Sequence, residues 1–319
     1  MPPDPEPGRH GVTAPALSLV VPTFNEAGRL EHGLERLRAA AAEGACDLEA
    51  TELVLVDDGS SDDTRARALA LAATFPLARV VPLARNHGKG AAVRAGVLAA
   101  TGDRVAFADA DMAIDPTHLP ALLEALDRVP VAVGSRAVHG HVDYGTRLRT
   151  DAGRCFNLAV RAVGGVHLAD TQCGFKGFRR GPGTLLALLL TTQGYAFDVE
   201  LLWLAGRLGF EVEVVPVTWL DVPGSSVRVV RDSARMLLDV VTARRRTRTL
   251  AARDVADLAA VPTVPGTVVV RGRDATVLVG AVEALGALRA LDGAGATRLV
   301  DLDDLVALAP LELDASPAA

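Results

Sequence analysis

Two carboxylates separated by one residue, Asp109-Ala110-Asp111, follow directly on an apolar run, residues 104–108. Where a chain turns just past a buried strand, such a pair can bring both side chains to one hard divalent cation. Mg²⁺ and Mn²⁺ accept oxygen ligands of this kind and share them with substrate phosphates. An isolated pair is just as well a solvated turn, so its company decides. Asp57-Asp58-Gly59-Ser60 ends a second apolar run. It reads as a turn, with Ser60, Ser61 or Asp62 capping the next helix, or as carboxylates that accept hydrogen bonds from a base or ribose. Asn86-His87-Gly88-Lys89-Gly90 opens a helical stretch, where amides and Lys89 can face an anion. It is neither a Walker A loop nor GxGxxG, and His87 reads as a loop residue. Thr23-Phe24-Asn25-Glu26 and Ser135-Arg136 end two further runs. The set suits a charged ligand that carries phosphate and a metal.

These residues act together only if the fold brings them to one edge. Residues 17–22, 52–56, 78–82, 104–108 and 131–134 read as buried strands, and 27–42, 62–74, 90–100 and 116–127 have helical spacing between them. The alternation predicts an α/β fold, a mostly parallel sheet covered by helices on both faces. Right-handed crossovers then gather the carboxyl ends of the strands on one edge, where all five carry charge or polarity.

Composition narrows the function classes. Half of the 319 residues are apolar, which excludes a disordered chain, and aromatics are only 4%, so Ala, Val and Leu must build the core. A net charge of -6 argues against a nucleic-acid binder. Cys46, Cys155 and Cys173 form no CxxC pair, so neither a disulfide framework nor a cysteine zinc site is expected, and a reducing, cytoplasmic setting fits. Residues 1–16, Pro-rich and acidic, read as a flexible leader and not a signal peptide. No apolar stretch reaches the roughly 18 uncharged residues of a membrane span; the nearest, 275–291, is broken by Glu283 and Arg289. A protein free in solution or lying on the inner face of a membrane is expected.

Taken in order, Val21-Pro22-Thr23-Phe24-Asn25-Glu26, Val56-Asp57-Asp58-Gly59-Ser60, Asn86-His87-Gly88-Lys89-Gly90 and Asp109-Ala110-Asp111 resemble the signatures of glycosyltransferase family 2, the inverting GT-A fold. Gly134-Ser135-Arg136, the run Asp170-Thr171-Gln172-Cys173-Gly174-Phe175-Lys176, Ala196-Phe197-Asp198-Val199-Glu200-Leu201 and residues 219–226 are similar to its polyprenyl (dolichyl)-phosphate glucosyltransferase subgroup. The resemblance covers about 18–246 and implies a Rossmann-like mixed sheet. It implies that Pro22, Phe24, Glu26 and Asp58 hold the nucleoside, helped by Asp57. Asp109 and Asp111 would hold Mg²⁺ or Mn²⁺ against the diphosphate of a nucleotide-sugar donor, with the Ala110 backbone beside it. Lys89 would screen negative charge. Arg136, assisted by Arg149, would meet an acceptor phosphate, and Gln172, Asp198 and Glu200 would border the sugar. Asp198 and Glu200 also read as simple helix-start acids, and Asp198 is the base if the acceptor is a hydroxyl. The implied donor is UDP-glucose, with GDP-mannose behind it, and the implied acceptor a polyprenyl phosphate. The chain departs from relatives in having Ser226 where they carry a Lys after Gly-Ser, with Arg228 as its substitute, and in lacking their terminal membrane helix. A soluble acceptor is the competing enzyme reading, and a non-catalytic nucleotide-sugar binder the competing class.

Residues 227–246 carry six arginines, with Val230, Ala234, Leu237, Leu238 and Val241 on one helical face. This basic amphipathic segment suits either anionic lipid headgroups or ordinary docking on the core. Beyond it, residues 251–319 read as a small appendage, with strands at 267–270 and 298–300 and helical spacing at Val282, Leu285 and Leu288.

Overall fold

The computed structural model describes residues 14–137, 168, 170–220 and 238–244, together with the strands at 267–271, 275–279, 287–292 and 297–300. Arg149, Ser226, Arg228, Cys155, the leader up to residue 13 and most of 227–246 lie outside the described residues.

Seven strands build the main sheet: β1 (Leu17–Thr23), β2 (Thr51–Asp57), β3 (Ala78–Pro82), β4 (Arg104–Ala108), β5 (Val131–Ser135), β6 (Phe175–Arg179) and β7 (Val212–Pro216). Their order is β3-β2-β1-β4-β6-β5-β7. β1 pairs in parallel with β2 and β4, β2 with β3, and β5 with β7; β6 runs antiparallel to both β4 and β5. The sheet is therefore mixed with one reversed strand, as the family resemblance implied. All seven residues of β1 and of β2 are buried, the mark of central strands covered on both faces.

Side-chain alternation along the strands splits the core in two. Val20, Val54, Val56 and Phe107 pack on one face, and Leu19, Val21, Leu55 and Ala108 on the other. Helix α1 (Leu30–Ala42) places Leu30, Leu34 and Leu37 on the second face, an i, i+4, i+7 stripe. α2 (Thr64–Ala72), α3 (Lys89–Ala99) and α4 (Leu119–Arg128) complete the alternation, followed by α5 (Arg180–Leu189) and α6 (Phe197–Arg207). The Phe107 ring meets Phe197 at 5.7 Å and Phe178 at 6.4 Å, so three of the few aromatics are spent where β4, β6 and α6 converge.

Two local expectations are corrected. Residues 238–244 are helical, but Leu238 is 69% exposed while Val240 and Ala243 are buried. Leu237, Leu238, Val240 and Val241 are all apolar, so periodicity could not fix the phase of that turn. In the C-terminal part, β8 (Thr267–Arg271), β9 (Ala275–Val279), β10 (Ala287–Asp292) and β11 (Thr297–Val300) form a separate four-stranded sheet. Leu288 lies in β10, opposite Val300, and not in a helix. A six-residue run with two leucines satisfies either period, and pairing with β8 and β11 decides it.

Candidate active site

The carboxyl ends of β1, β2 and β4 open onto a cleft of about 310 Å³. Pro22, Phe24, Glu26, Asp58, Lys89, Asp109, Ala110 and Asp111, eight of the residues expected from sequence, line it. Asn86 and Gly88 of the Asn86–Gly90 motif line it too, as do Arg29 and Tyr195, which were not expected. Phe24 and Tyr195 are 42% and 38% exposed, so two aromatic faces stand open.

The turn after β4 sets the two central carboxylates. Met112 N donates to Asp109 O at 2.9 Å and Ala113 N to Asp111 Oδ1 at 3.1 Å, while Met112 takes a left-handed φ of 46°. For a long side chain that conformation costs about 1 kcal/mol, offset here by the burial of Met112. α1 presses on this turn. A Cβ on Gly33 would lie 2.0 Å from the Ala110 carbonyl oxygen, so only glycine fits.

Cations ring the carboxylates. Lys89 Nζ donates to Asp109 Oδ1. Burial works against the Lys89 ammonium, yet the charge of Asp109, with that of Asp198, prevails and holds its pKa above the ordinary lysine range. Arg29 bridges the entrance, with Nε 2.6 Å from Glu26 Oε2 and Nη1 3.7 Å from Asp111 Oδ2. Burial first, then the neighbouring Asp109 charge, pushes the Asp111 carboxyl above its usual range; burial likewise raises Glu26 against the pull of Arg29. The donor set fits a hard divalent ion, since its oxygens are anionic and their mutual repulsion is incompletely neutralised. Among the described residues no three metal-ligating side chains cluster, so such an ion would take two protein carboxylates and find its other ligands on substrate or water.

Asp58 acts as a bracket. Its Oδ1 accepts from His87 N at 2.8 Å, and its Oδ2 from Gly88 N at 2.7 Å and Asn86 Nδ2 at 3.2 Å. Burial raises its pKa against those bonds. Asp57 is buried and accepts from Ser60 N at 3.2 Å, so it shapes the turn and does not line the cleft. Asn25, at φ 54°, accepts from Ser61 N at 2.9 Å and ties the ends of β1 and β2 together. The N-cap of α2 is Asp63, which makes no side-chain capping bond, so none of Ser60, Ser61 and Asp62 is the cap; Asp62 Oδ1 accepts from Thr64 N at 3.0 Å in the turn before the helix.

One expectation about α3 changes. Its first amides do not face the cleft for an anion: Gly90 N and Ala91 N donate to Gln193 O at 2.7 and 3.2 Å. The loop before α6 caps α3, and Glu200 holds that loop by accepting from Thr191 N and Thr192 N at 3.2 and 2.7 Å.

The remaining expected residues stand behind the cleft. Arg136 is forked onto Asp170, Nε–Oδ2 2.8 Å and Nη2–Oδ1 2.9 Å. Burial would raise the Asp170 carboxyl, but Arg136 holds it below the usual range. Asp198 is buried and ion-paired with Lys176, Nζ–Oδ1 2.5 Å. Burial raises its pKa against that partner. Gln172 is half-buried beside this group, next to Cys173, whose thiol burial pushes up to about 12. Arg29 was missed, although its place three residues past Glu26 was a signal that could have found it; Tyr195 carried no signal, because only tertiary packing brings its loop to β4.

Residues 18–182 match the family model for glycosyl transferase family 2. The chain is 33% identical over 249 residues to the dolichyl-phosphate beta-glucosyltransferase of Saccharomyces cerevisiae, covering 72% of this chain and 74% of that one. It is 35% identical over 224 residues to the protein of the same name from Drosophila melanogaster, covering 66% and 69%. Among solved structures it resembles glucosyl-3-phosphoglycerate synthase from Mycobacterium tuberculosis in complex with Mn²⁺, UDP-glucose and phosphoglyceric acid, with a TM-score of 0.51, 23% identity and coverage of 72% and 79%. At that identity the likeness speaks for the fold.

Proposed function

The chain belongs to glycosyltransferase family 2, and on that premise we propose that it moves glucose from UDP-glucose to a polyprenyl phosphate of the dolichyl type, inverting the anomeric carbon. The observation that carries this reading is the meeting of Phe24, Asp58, Lys89, Asp109 and Asp111 in one cleft. Phe24 offers a stacking face to the base. Asp58 keeps lone pairs beyond its loop bonds and accepts from the nucleoside. Lys89 turns its ammonium to the diphosphate. Asp109 and Asp111 hold Mg²⁺ or Mn²⁺, which when bound offsets the charge developing on the leaving diphosphate. A phosphate acceptor is already anionic, so none of the buried acids has to take a proton.

Among the described residues no helix is long and apolar enough to cross a membrane. We place the acceptor at a membrane surface reached by the basic segment 227–246. A soluble acceptor is the second reading, favoured by Ser226. Radiolabelled UDP-glucose, UDP-galactose, UDP-N-acetylglucosamine and GDP-mannose, each with and without a short polyprenyl phosphate, test both. Label extracted into organic solvent only with UDP-glucose and the lipid is the expected result; label confined to the aqueous phase overturns it.

A further inference from the structure

Lys176 is buried completely, whereas most charged side chains among the described residues are not. It stands on β6 opposite Phe107 of β4, with its ammonium 5.6 Å from that ring's centroid. An unpaired ammonium there costs several kcal/mol, and an apolar residue would fill such a place as well or better. Its polar contacts explain its presence. Nζ donates to Asp198 Oδ1 at 2.5 Å and to its own chain, three residues back, at Cys173 O, 2.6 Å.

The second bond fixes the bend that enters β6, and that bend packs against Asp109, which lines the cleft. A Cβ on Gly174 would lie 2.3 Å from Asp109 Oδ2 and 2.8 Å from Oδ1. The Gly174 backbone therefore packs so closely on the Asp109 carboxylate that a side chain there would displace it. Lys89 Nζ donates to the same carboxylate. Asp198 itself is 4% exposed and does not line the cleft.

We propose that Lys176 and Asp198 are a positioning pair for Asp109, setting its carboxylate through the Cys173–Gly174 bend. Asp198 is then a holder of charge in the second layer and not a general base. The inference rests on the reading of Asp109 and Asp111 as a cation site.

Mn²⁺ titration of the full chain in the presence of UDP, followed by electron paramagnetic resonance, tests it. Lys176→Met weakens Mn²⁺ binding by about 10- to 100-fold, the usual loss when a support behind a metal ligand is removed. Gly174→Ala, which leaves the ion pair intact, weakens it by about ten-fold or more. The double variant binds no more than about two-fold worse than the weaker single one, because both changes release the same bend. Losses that multiply overturn the proposal. Asp198→Asn, which is isosteric, weakens Mn²⁺ about ten-fold and keeps the shape of the pH–rate profile; it replaces Lys176→Met in the cycle if that variant does not fold. An Asp198→Asn enzyme with wild-type Mn²⁺ affinity and a lost limb of the profile makes Asp198 the base and sinks the idea. Glu52→Gln, far from the cleft, is the control: it lowers the melting temperature and leaves Mn²⁺ affinity unchanged, and equal weakening there would show that the readout follows stability alone. A wild type that binds no Mn²⁺ refutes the cation site; a wild type that binds, with variants its equal, refutes the positioning pair alone.

Discussion

Gly33→Ala separates intrinsic helix preference from the geometry of the cleft. On propensity alone alanine in the interior of α1 is better than glycine by about 1 kcal/mol. The structure reverses the sign. The new methyl carbon would stand 2.0 Å from Ala110 O, where ordinary contact begins near 3.4 Å, so helix or turn must retreat by about 1.4 Å. The obstacle is a carbonyl in the backbone, which has no rotamer to escape into. Overpacking of this kind costs about 3 kcal/mol at the upper end, leaving a net loss of about 2 kcal/mol after the propensity gain. For a domain of this size that is a fall of about 4–8 °C in melting temperature. Because the retreating turn carries Asp109 and Asp111, a shift above 1 Å is also expected to cut glucosyl transfer about 100-fold. Calorimetry and initial rates on Gly33→Ala and Gly206→Ala read both effects. Gly206 is likewise helical, in α6, but exposed with nothing within 4 Å of an added Cβ, so its substitution should stabilise by about 0.5 kcal/mol and leave the rate unchanged. A Gly33→Ala protein that melts no lower than the wild type and keeps its rate would refute the argument.

Asp111→Asn should lower transfer at least about 100-fold with little change in melting temperature, since it removes a charge in a cleft and not a core contact; full activity with EDTA present would contradict the metal reading. Phe24→Ala should raise the KM for the donor about ten-fold with a smaller effect on kcat, as loss of one stacked base is worth roughly 1–3 kcal/mol. Glu52 supplies a pH test. Burial alone would raise its carboxyl, but bonds from Ser18, the Thr101 amide and Arg79 prevail and hold it below 4.5. Its folded pKa lies under the unfolded one, so its stabilisation is complete above about pH 4.5 and is lost as pH falls through the folded value. Glu52→Gln should therefore flatten the dependence of stability on pH below about 4.5, measured by urea unfolding; parallel curves for the two proteins would count against it. Exchanging Arg231, Arg235 and Arg244 for Glu should reduce sedimentation with anionic vesicles, and unaltered sedimentation would remove the membrane contact.

The strand ends were legible because parallel strands buried on both faces leave unbroken apolar runs. Polar residues that stop the runs of β1, β2 and β4 then line the cleft, whereas Arg136 after β5 stands behind it. β6 escaped the same reading: Phe175-Lys176-Gly177-Phe178-Arg179 has a buried lysine in mid-strand, which local pattern treats as a loop. β7, with Glu213 inside a half-buried edge, gave no clean alternation. Asp198 and Arg136 were found as charged residues worth attention, but their partners Lys176 and Asp170 lie 22 and 34 positions away. No spacing rule links such pairs, so a sequence cannot tell an acid that faces substrate from one that holds a neighbour. The N-terminus of α3 misled for a related reason. Its amides looked free because their acceptor, the Gln193 carbonyl, comes from a loop about a hundred residues downstream.

That carbonyl has a consequence for how donor choice can change. With Gly90 N and Ala91 N spent on its own chain, a donor bound as proposed would meet movable side chains such as Lys89 at this end of the cleft in place of those two amides. A main-chain nest is indifferent to point mutation, whereas side chains are rewritten one codon at a time. Nucleotide preference in this scaffold is accordingly open to gradual drift, and laboratory selection for a new sugar donor should find its first gains in single substitutions around the rim, with the chain trace left as it is.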